Sequence, residues 1–313
     1  SHPLVNIIRK ENGGKHTALN AGIAIATGEY VACLDADSFA STGALREIIS
    51  HFDDLQIGAV TASMSIHRPR AILERVQQAE YLIGILLRHI LSTMNGLHVT
   101  PGPFTVYRRN VFKEIGDFRS AHNTEDMEIA YRMQKNYYNI DQCNDAFVYT
   151  NTPENIKKLY KRRLRWIYGF INNTIDYRYI IFRKKYGNFS LLTVPAGIVS
   201  IFAASYLFGR VLYNISDFLF SKILVFNTVG FHFSSKVLIP DLFFINTQSF
   251  ILFFCFFLYF LVILSIILGQ KISQDKWNLS INMIYFFVIY SVIAPFWLMN
   301  AVYNTIRSKR PAW

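Results

Sequence analysis

The sequence is short of cysteine, and three long stretches of it carry no charge of either sign. Cys33, Cys143 and Cys255 are the only cysteines in 313 residues. They are too few and too widely spaced for a disulfide framework or a CxxC metal pair, so thiol chemistry is set aside. Phe189 to Gly209, Leu242 to Gly269 and Trp277 to Ile306 contain no Asp, Glu, Lys or Arg. Each meets the roughly 20 residues needed to cross the hydrocarbon core of a bilayer. Three such runs in one chain argue against buried helices of a soluble protein. Val211 to Pro240 is interrupted by Asp217, Lys222, His232 and Lys236, and reads as a loop, an interfacial helix or a fourth crossing.

The formal charge is +11, from 32 Lys and Arg against 21 Asp and Glu. Such an excess suits nucleic acid in general. Here its dense part flanks a membrane run and no nucleic-acid module is recognisable, so nucleic acid is not expected as a partner. Membrane lipids or a phosphorylated substrate are. Arg183-Lys184-Lys185, immediately before the first uncharged run, places that end on the cytoplasmic side. The expectation is a multi-pass integral protein, of the plasma membrane, with its polar domain in the cytoplasm. Three crossings leave the terminal Arg307, Lys309 and Arg310 outside; four return them inside.

The polar half-chain reads as alternating strands and helices. Strands are expected at Val5 to Ile8, Tyr30 to Leu34 and Gly58 to Ser63, with helices at Thr17 to Ala26, Gly43 to Phe52 and Arg70 to Leu91. This is an α/β pattern. The chain begins almost on a strand, after Ser1-His2-Pro3. The sheet is therefore expected to take further strands from a missing N-terminal segment or a partner chain.

Three polar clusters follow in order. Asp35-Ala36-Asp37 falls at the C-terminal end of a strand, where such sheets place ligands. In an extended backbone both carboxylates point to similar sides. They are either a turn-capping pair or a bridge to a divalent cation and its phosphate. Thr124-Glu125-Asp126 opens a helix from Met127 to Gln134. Thr124 is an N-cap candidate, and first-turn acids answer the helix dipole. The functional alternative makes Asp126 a general base, kept ionised by its helix-start position. Beyond a Thr152-Pro153 helix start, Ile156, Tyr160, Leu164, Ile167 and Ile171 share one face. Such a helix lies in the membrane interface with its apolar side in lipid. Arg162 and Arg165, one turn apart, either grip a diphosphate or belong to an ordinary juxtamembrane basic helix. Trp166 offers a flat face to a sugar ring.

Five stretches in this order resemble the inverting, processive family 2 glycosyltransferases that synthesise cellulose, chitin, hyaluronan and poly-N-acetylglucosamine at membranes. They are Gly13 to Gly22, Asp35 to Ser38, Gly102 to Arg109, Thr124 to Asp126 and Arg162 to Trp166. The resemblance implies an α/β GT-A fold over residues 1–152, N-terminally incomplete. It is followed by an amphipathic interfacial segment over 153–188 and a transmembrane module over 189–313 with three or four crossings. It implies that Lys15 and Asp35 contact the donor nucleotide, and that Asp37, with Asp35, holds Mg2+ or Mn2+. Asp126 is the implied base, beside Glu125. Arg165 holds the diphosphate, joined by Arg162, which stands where the family usually has Gln. Gly102 and Pro103 border the acceptor, and Trp166 forms its platform.

The expected activity is transfer of a sugar, by preference N-acetylglucosamine, from a UDP-sugar to a growing β-linked polysaccharide coupled to export. The alternatives are a nonprocessive transferase acting on a lipid-linked acceptor, and a noncatalytic assembly subunit.

Overall fold

The computed structural model describes residues 5–67, 69–230, 247–273 and 279–311. Helix α1 (Lys15–Ile25) leads into β1 (Tyr30–Leu34), β2 (Ser38–Ala40) and α2 (Ala44–Ser50). Then come β3 (Ile57–Ile66), α3 (Ile72–Thr93), β4 (Phe104–Arg108), α4 (Arg109–Ile115), α5 (Glu125–Lys135) and β5 (Asn139–Thr150). The expected helices and two of the three expected strands form. Val5 to Ile8 do not: Val5, Ile7 and Ile8 lie exposed in an irregular segment. A strand needs a neighbour to take its backbone hydrogen bonds, and among the described residues these have none.

The sheet order is β1-β4-β3-β5-β2. Its pairs are antiparallel except β3 with β5, which run parallel and change register between Ala62 and Ser63. Alternate side chains serve opposite faces. Val60, Ala62, Val106 and Val148 pack with Ile48 of α2 and Tyr81 of α3. Ala59, Tyr107 and Ile140 pack with Val111 and Phe112 of α4 and Ile129 and Met133 of α5. Helices thus cover both faces, and the sheet's β1 and β4 carry the first acidic cluster and the Gly102 loop to one side of α5.

Helix α6 (Ile156–Asp176) follows. Its N-cap is Asn155, whose Oδ1 accepts from the Lys158 N–H at 2.9 Å, so the expected Thr152-Pro153 start is displaced. The Pro153 carbonyl instead accepts from Gln77 Nε2 of α3 at 3.4 Å. A π-helical turn, Phe189–Thr193, opens α7 (Val194–Val229). Helices α8 (Thr247–Ser273) and α9 (Leu279–Ile306) complete the chain. Segments Phe189–Thr228, Phe253–Ser273 and Met283–Ile306 are long and apolar enough to cross a membrane. The uncertain segment after Val211 is helical as far as Val229, and residues 231–240 lie outside the described set. At 1.5 Å per residue α7 spans about 54 Å, well beyond a hydrocarbon core of about 30 Å. Asp217 and Lys222 therefore fall past the apolar stretch that begins the helix.

The apolar face of α6 is not left for lipid. Leu164 and Tyr168 are buried against Trp297 and Ala301 of α9, with Tyr160, Ile167 and Ile171 alongside. On the other side Val76, Ala79, Leu82 and Ile85 of α3 pack on Ile266 of α8 and Phe286 of α9. The apolar helices are thus seated directly on two helices of the preceding domain.

Candidate active site

The site forms where the end of β1, the start of α1, the loop before β4 and the start of α5 meet. Asp35 to Asp37 lie in a turn and not in extended backbone: the Ser38 N–H donates to the Asp35 carbonyl at 3.0 Å. The strand ends at Leu34 because the chain must bend there into β2. The Asp35 N–H donates to the Pro103 carbonyl at 3.3 Å. This bond fixes the turn to the adjacent loop.

Lys15, the first residue of α1, forms an ion pair with Asp35, and its Nζ lies 3.5 Å from Glu125 Oε1. Burial works against the Lys15 charge, but Asp35, and then Glu125 and Asp126, hold its pKa above the ordinary lysine value. Gly102 lies against this pair: a Cβ there would strike Lys15 Nζ and crowd the Asp35 carboxylate. Only a residue without a side chain lets the loop backbone come so close.

That loop is tied to the acidic helix. Thr100 donates twice to the Asp126 carbonyl, from its N–H at 3.2 Å and from Oγ1 at 2.7 Å. Gln134 Nε2 holds the Leu97 carbonyl at 3.0 Å, and Thr105 Oγ1 holds the Pro101 carbonyl at 2.8 Å. The partly buried Asp126 carboxylate accepts from the Met127 N–H at 2.9 Å. Burial and the neighbouring Glu125 push its pKa up to about 6, against Lys15, Arg165 and the Met127 N–H. The helix start favours the carboxylate, as expected, but desolvation and a like charge outweigh it. Asp126 remains mostly ionised at neutral pH.

Thr124 stands at the N-cap position of α5 without capping through its side chain. Its Oγ1 donates to the Ala121 carbonyl at 3.0 Å and accepts from Asn173 Nδ2 of α6 at 2.9 Å. Gly169, one turn earlier on α6, lies so close to Thr124 that any Cβ would collide with it. The preceding His122 and Asn123 are both left-handed, at φ 51° and 62°, and His122 Nε2 pairs with Asp176 Oδ2 at 2.8 Å. The entry to the acidic helix is thus strained and clamped from α6. Thr100, His122, Gly169 and Asn173 escaped the sequence reading. The one legible signal was the placement of Gly169 and Asn173 on the helix face that also carries Arg162 and Arg165. Glu128, the next acid on α5, is a structural group: it pairs with Arg132 at 2.9 Å and accepts from the Tyr177 hydroxyl at 2.6 Å.

Arg165 shares this electrostatic environment. Burial lowers its pKa and the nearby Arg162 adds to that, while Asp126, Glu125 and Asp35 oppose it. Arg162 donates to the Asn151 carbonyl at 3.4 Å, and its guanidinium lies 5.0 Å from the Trp166 ring centre. The guanidinium of buried Arg163 is closer to that ring, at 4.2 Å, and is ion-paired with Glu80 of α3. The structure thus gathers Lys15, Asp35, Gly102, Glu125, Asp126 and Arg165. Trp166 follows Arg165 on α6, with the Arg162 and Arg163 guanidinium groups over its ring, and Pro103 is joined through its carbonyl.

No cluster of three His, Cys, Asp or Glu side chains suited to a metal occurs among the described residues. The donor set fits a hard cation nonetheless. Asp35 and exposed Asp37 share one turn, and Mg2+ or Mn2+ at a nucleotide uses one or two carboxylates, completing its shell with phosphate and water.

Residues 2–169 match the family described as glycosyltransferase like family 2. The chain belongs to this family. It is 34% identical over 164 residues to a poly-β-1,6-N-acetyl-D-glucosamine synthase of Staphylococcus aureus, covering 51% of this chain and 39% of that protein. A synthase of the same name from Staphylococcus epidermidis is 32% identical over 172 residues, covering 54% of this chain and 42% of that protein. The chain therefore spans about two fifths of the length of these relatives. Among solved structures, a mannosyltransferase of Pyrobaculum calidifontis in complex with GDP-Man and Mn2+ resembles 96% of this chain and 68% of its own, with a TM-score of 0.51 and 16% identity. Fold and family agree: this is a GT-A glycosyltransferase domain of family 2 followed by apolar helices able to cross a membrane.

Proposed function

We propose that the chain transfers a sugar from a UDP-sugar, by preference UDP-N-acetylglucosamine, to a growing β-linked polysaccharide at a membrane. The observation that carries this reading is the convergence of Lys15, Asp35, Gly102, Asp126 and Arg165. The relatives' names and the Mn2+ and GDP-Man of the solved neighbour support it.

Lys15 and Arg165, with Arg162, offset the diphosphate charge, while Gly102 and Pro103, expected beside the acceptor, lie against Lys15 and Asp35 and wall the donor side instead. Asp35 and Asp37 would hold the divalent cation, which when bound neutralises charge on the leaving phosphate oxygens. Trp166 stacks the acceptor sugar and Glu125 borders it. The Asp126 carboxylate takes the proton of the attacking hydroxyl as the acceptor oxygen bonds to the anomeric carbon and the bond to the phosphate oxygen breaks. One in-line displacement inverts that carbon, so an α-linked donor gives a β-linked product. A positioned base of this kind contributes typically about 10²–10⁴-fold.

By domain, residues 1–152 carry donor chemistry, 153–188 the basic-aromatic segment, and 189–313 the membrane module. Arg183-Lys184-Lys185 supports a cytoplasmic catalytic domain, and the plasma membrane is the membrane we propose for it. A glycan leaving it needs a protein path, since its hydroxyls are costly in lipid. The test incubates the complete membrane protein with individual UDP-sugars and Mg2+ or Mn2+ and measures product linkage and length. Long β-linked products from one donor are expected. Short products attached to lipid would replace this reading with a nonprocessive transferase, and absence of any sugar transfer would sink it.

A further inference from the structure

The junction between α6 and α7 carries a cluster that glycosyl transfer does not use. Tyr179, Phe182, Arg183, Lys184, Lys185 and Tyr186 line a cleft of about 450 Å3. Three cations and three aromatic rings face it, with no carboxylate among them. Lys135, at the end of α5, brings a fourth cation to 5.4 Å from the Tyr179 ring centre. The cleft ends immediately before the π-helical turn Phe189–Thr193, where the first membrane-length apolar segment begins.

Its backbone is held in an unusual form. Phe182 has φ 58°, a left-handed conformation that a bulky residue rarely adopts. Its N–H donates to the Ser190 carbonyl at 3.2 Å, and the Arg183 N–H donates to Ser190 Oγ at 2.9 Å. The Ser190 hydroxyl in turn donates to the Ile180 carbonyl at 2.5 Å. Buried Ser190, in the opening turn of the membrane segment, therefore fixes the strained turn from three sides. What the turn displays is the Phe182 ring, 71% exposed. In water nothing offsets that display. At a bilayer surface the ring enters the acyl boundary while the adjacent cations stay at headgroup level.

We propose that this cleft binds the phosphate headgroup of an anionic membrane lipid. Arg183 supplies a planar fork to two phosphate oxygens, Lys184 and Lys185 supply point charges, and Phe182 anchors the acyl side. The exposed ring and the continuity with α7 select a lipid over a free phosphate. The proposal does not depend on the identity of the transferred sugar.

The test follows thermal unfolding of the full-length protein in a nonionic detergent with phosphatidylglycerol, phosphatidylcholine or inorganic phosphate added at equal concentration. Phosphatidylglycerol is expected to raise Tm by about 3 °C more than phosphatidylcholine, as a ligand of the native state does, with inorganic phosphate inert. The variant R183Q/K184Q/K185Q loses that increment, whereas K184R/K185R, which keeps the charges, retains it. Phe182→Asn separates anchoring from architecture, because Asn accepts the left-handed backbone more readily than Phe. A structural role predicts an unchanged lipid response in that variant; the proposal predicts at least about a halving. Equal responses to the two lipids, an increment retained in both the triple variant and Phe182→Asn, or an increment reproduced by inorganic phosphate would each overturn it.

Discussion

Asp126 combines two demands that pull apart. A proton acceptor with a pKa near 6 is a better base than an ordinary carboxylate, yet the burial and the Glu125 charge that raise it also penalise the ionised form in the fold. Two consequences are measurable in the complete protein. The rate should fall about tenfold per pH unit below about 6, as Asp126 takes up its proton. A carboxylate whose folded pKa is raised favours folding at low pH, fully below its unfolded value, and loses that contribution as pH rises through about 6. Asp126→Asn is therefore expected to abolish transfer while raising stability at pH 7 by on the order of 1–3 kcal/mol, read as an increase in Tm. A variant that is both inactive and less stable would place Asp126 in a structural role. Gly102→Ala tests the other side of the site. Its methyl group collides with the Lys15 and Asp35 pair, so kcat/KM should drop at least about tenfold, through donor KM, with circular dichroism unchanged. Much of this was legible, because Lys15, Asp35, Asp126 and Arg165 stand in short recognisable motifs. The Thr124 cap was not, since its hydroxyl is taken by Asn173, a partner 49 positions away.

At the level of elements, the joint between α3, α6 and α9 stands out. Glu80 of α3 accepts from both Arg163 of α6 and the Tyr290 hydroxyl of α9, and Arg163 also lies over Trp166. Removing one partner from a buried ion pair leaves an uncompensated charge and typically costs about 3–5 kcal/mol. Glu80→Gln should therefore lower Tm markedly. Tyr290→Phe, which removes only a hydroxyl, should cost about 1–3 kcal/mol. If either leaves Tm unchanged, the joint does not hold the helices together. This joint also explains where pattern reading stopped. The strand Tyr30–Leu34 was visible because its residues suit a pleated, half-buried surface. The apolar face of α6 was equally visible, but periodicity reports that a face is buried and not against what. Lipid and α9 look alike to it. Val5 to Ile8 show the converse, a strand-like composition with no ladder to join.

Over the whole molecule, α9 leads into the charges at the end of the chain. Its first half packs on α3 and its second on α6, and Asn172 of α6 donates to Thr305 Oγ1 at 3.1 Å. Along its length α9 therefore rests on α3 and α6. By the charge rule, Arg307, Lys309 and Arg310 are expected on the same side as the domain. A fluorescent reporter fused after Trp313 of the full-length protein should share the compartment of the domain, as judged by protease protection in sealed vesicles. Protection opposite to that of the domain would mean an odd number of crossings.

The pair of hydrogen bonds from Thr100 to the Asp126 carbonyl gives one residue two masters. Its main chain anchors the loop that carries Gly102, and its side chain is the proposed base. Any displacement of that loop would act on the Asp126 backbone directly through two bonds. Under the proposed function, engineering this loop for a new sugar would also move the Asp126 backbone, coupling donor choice to turnover.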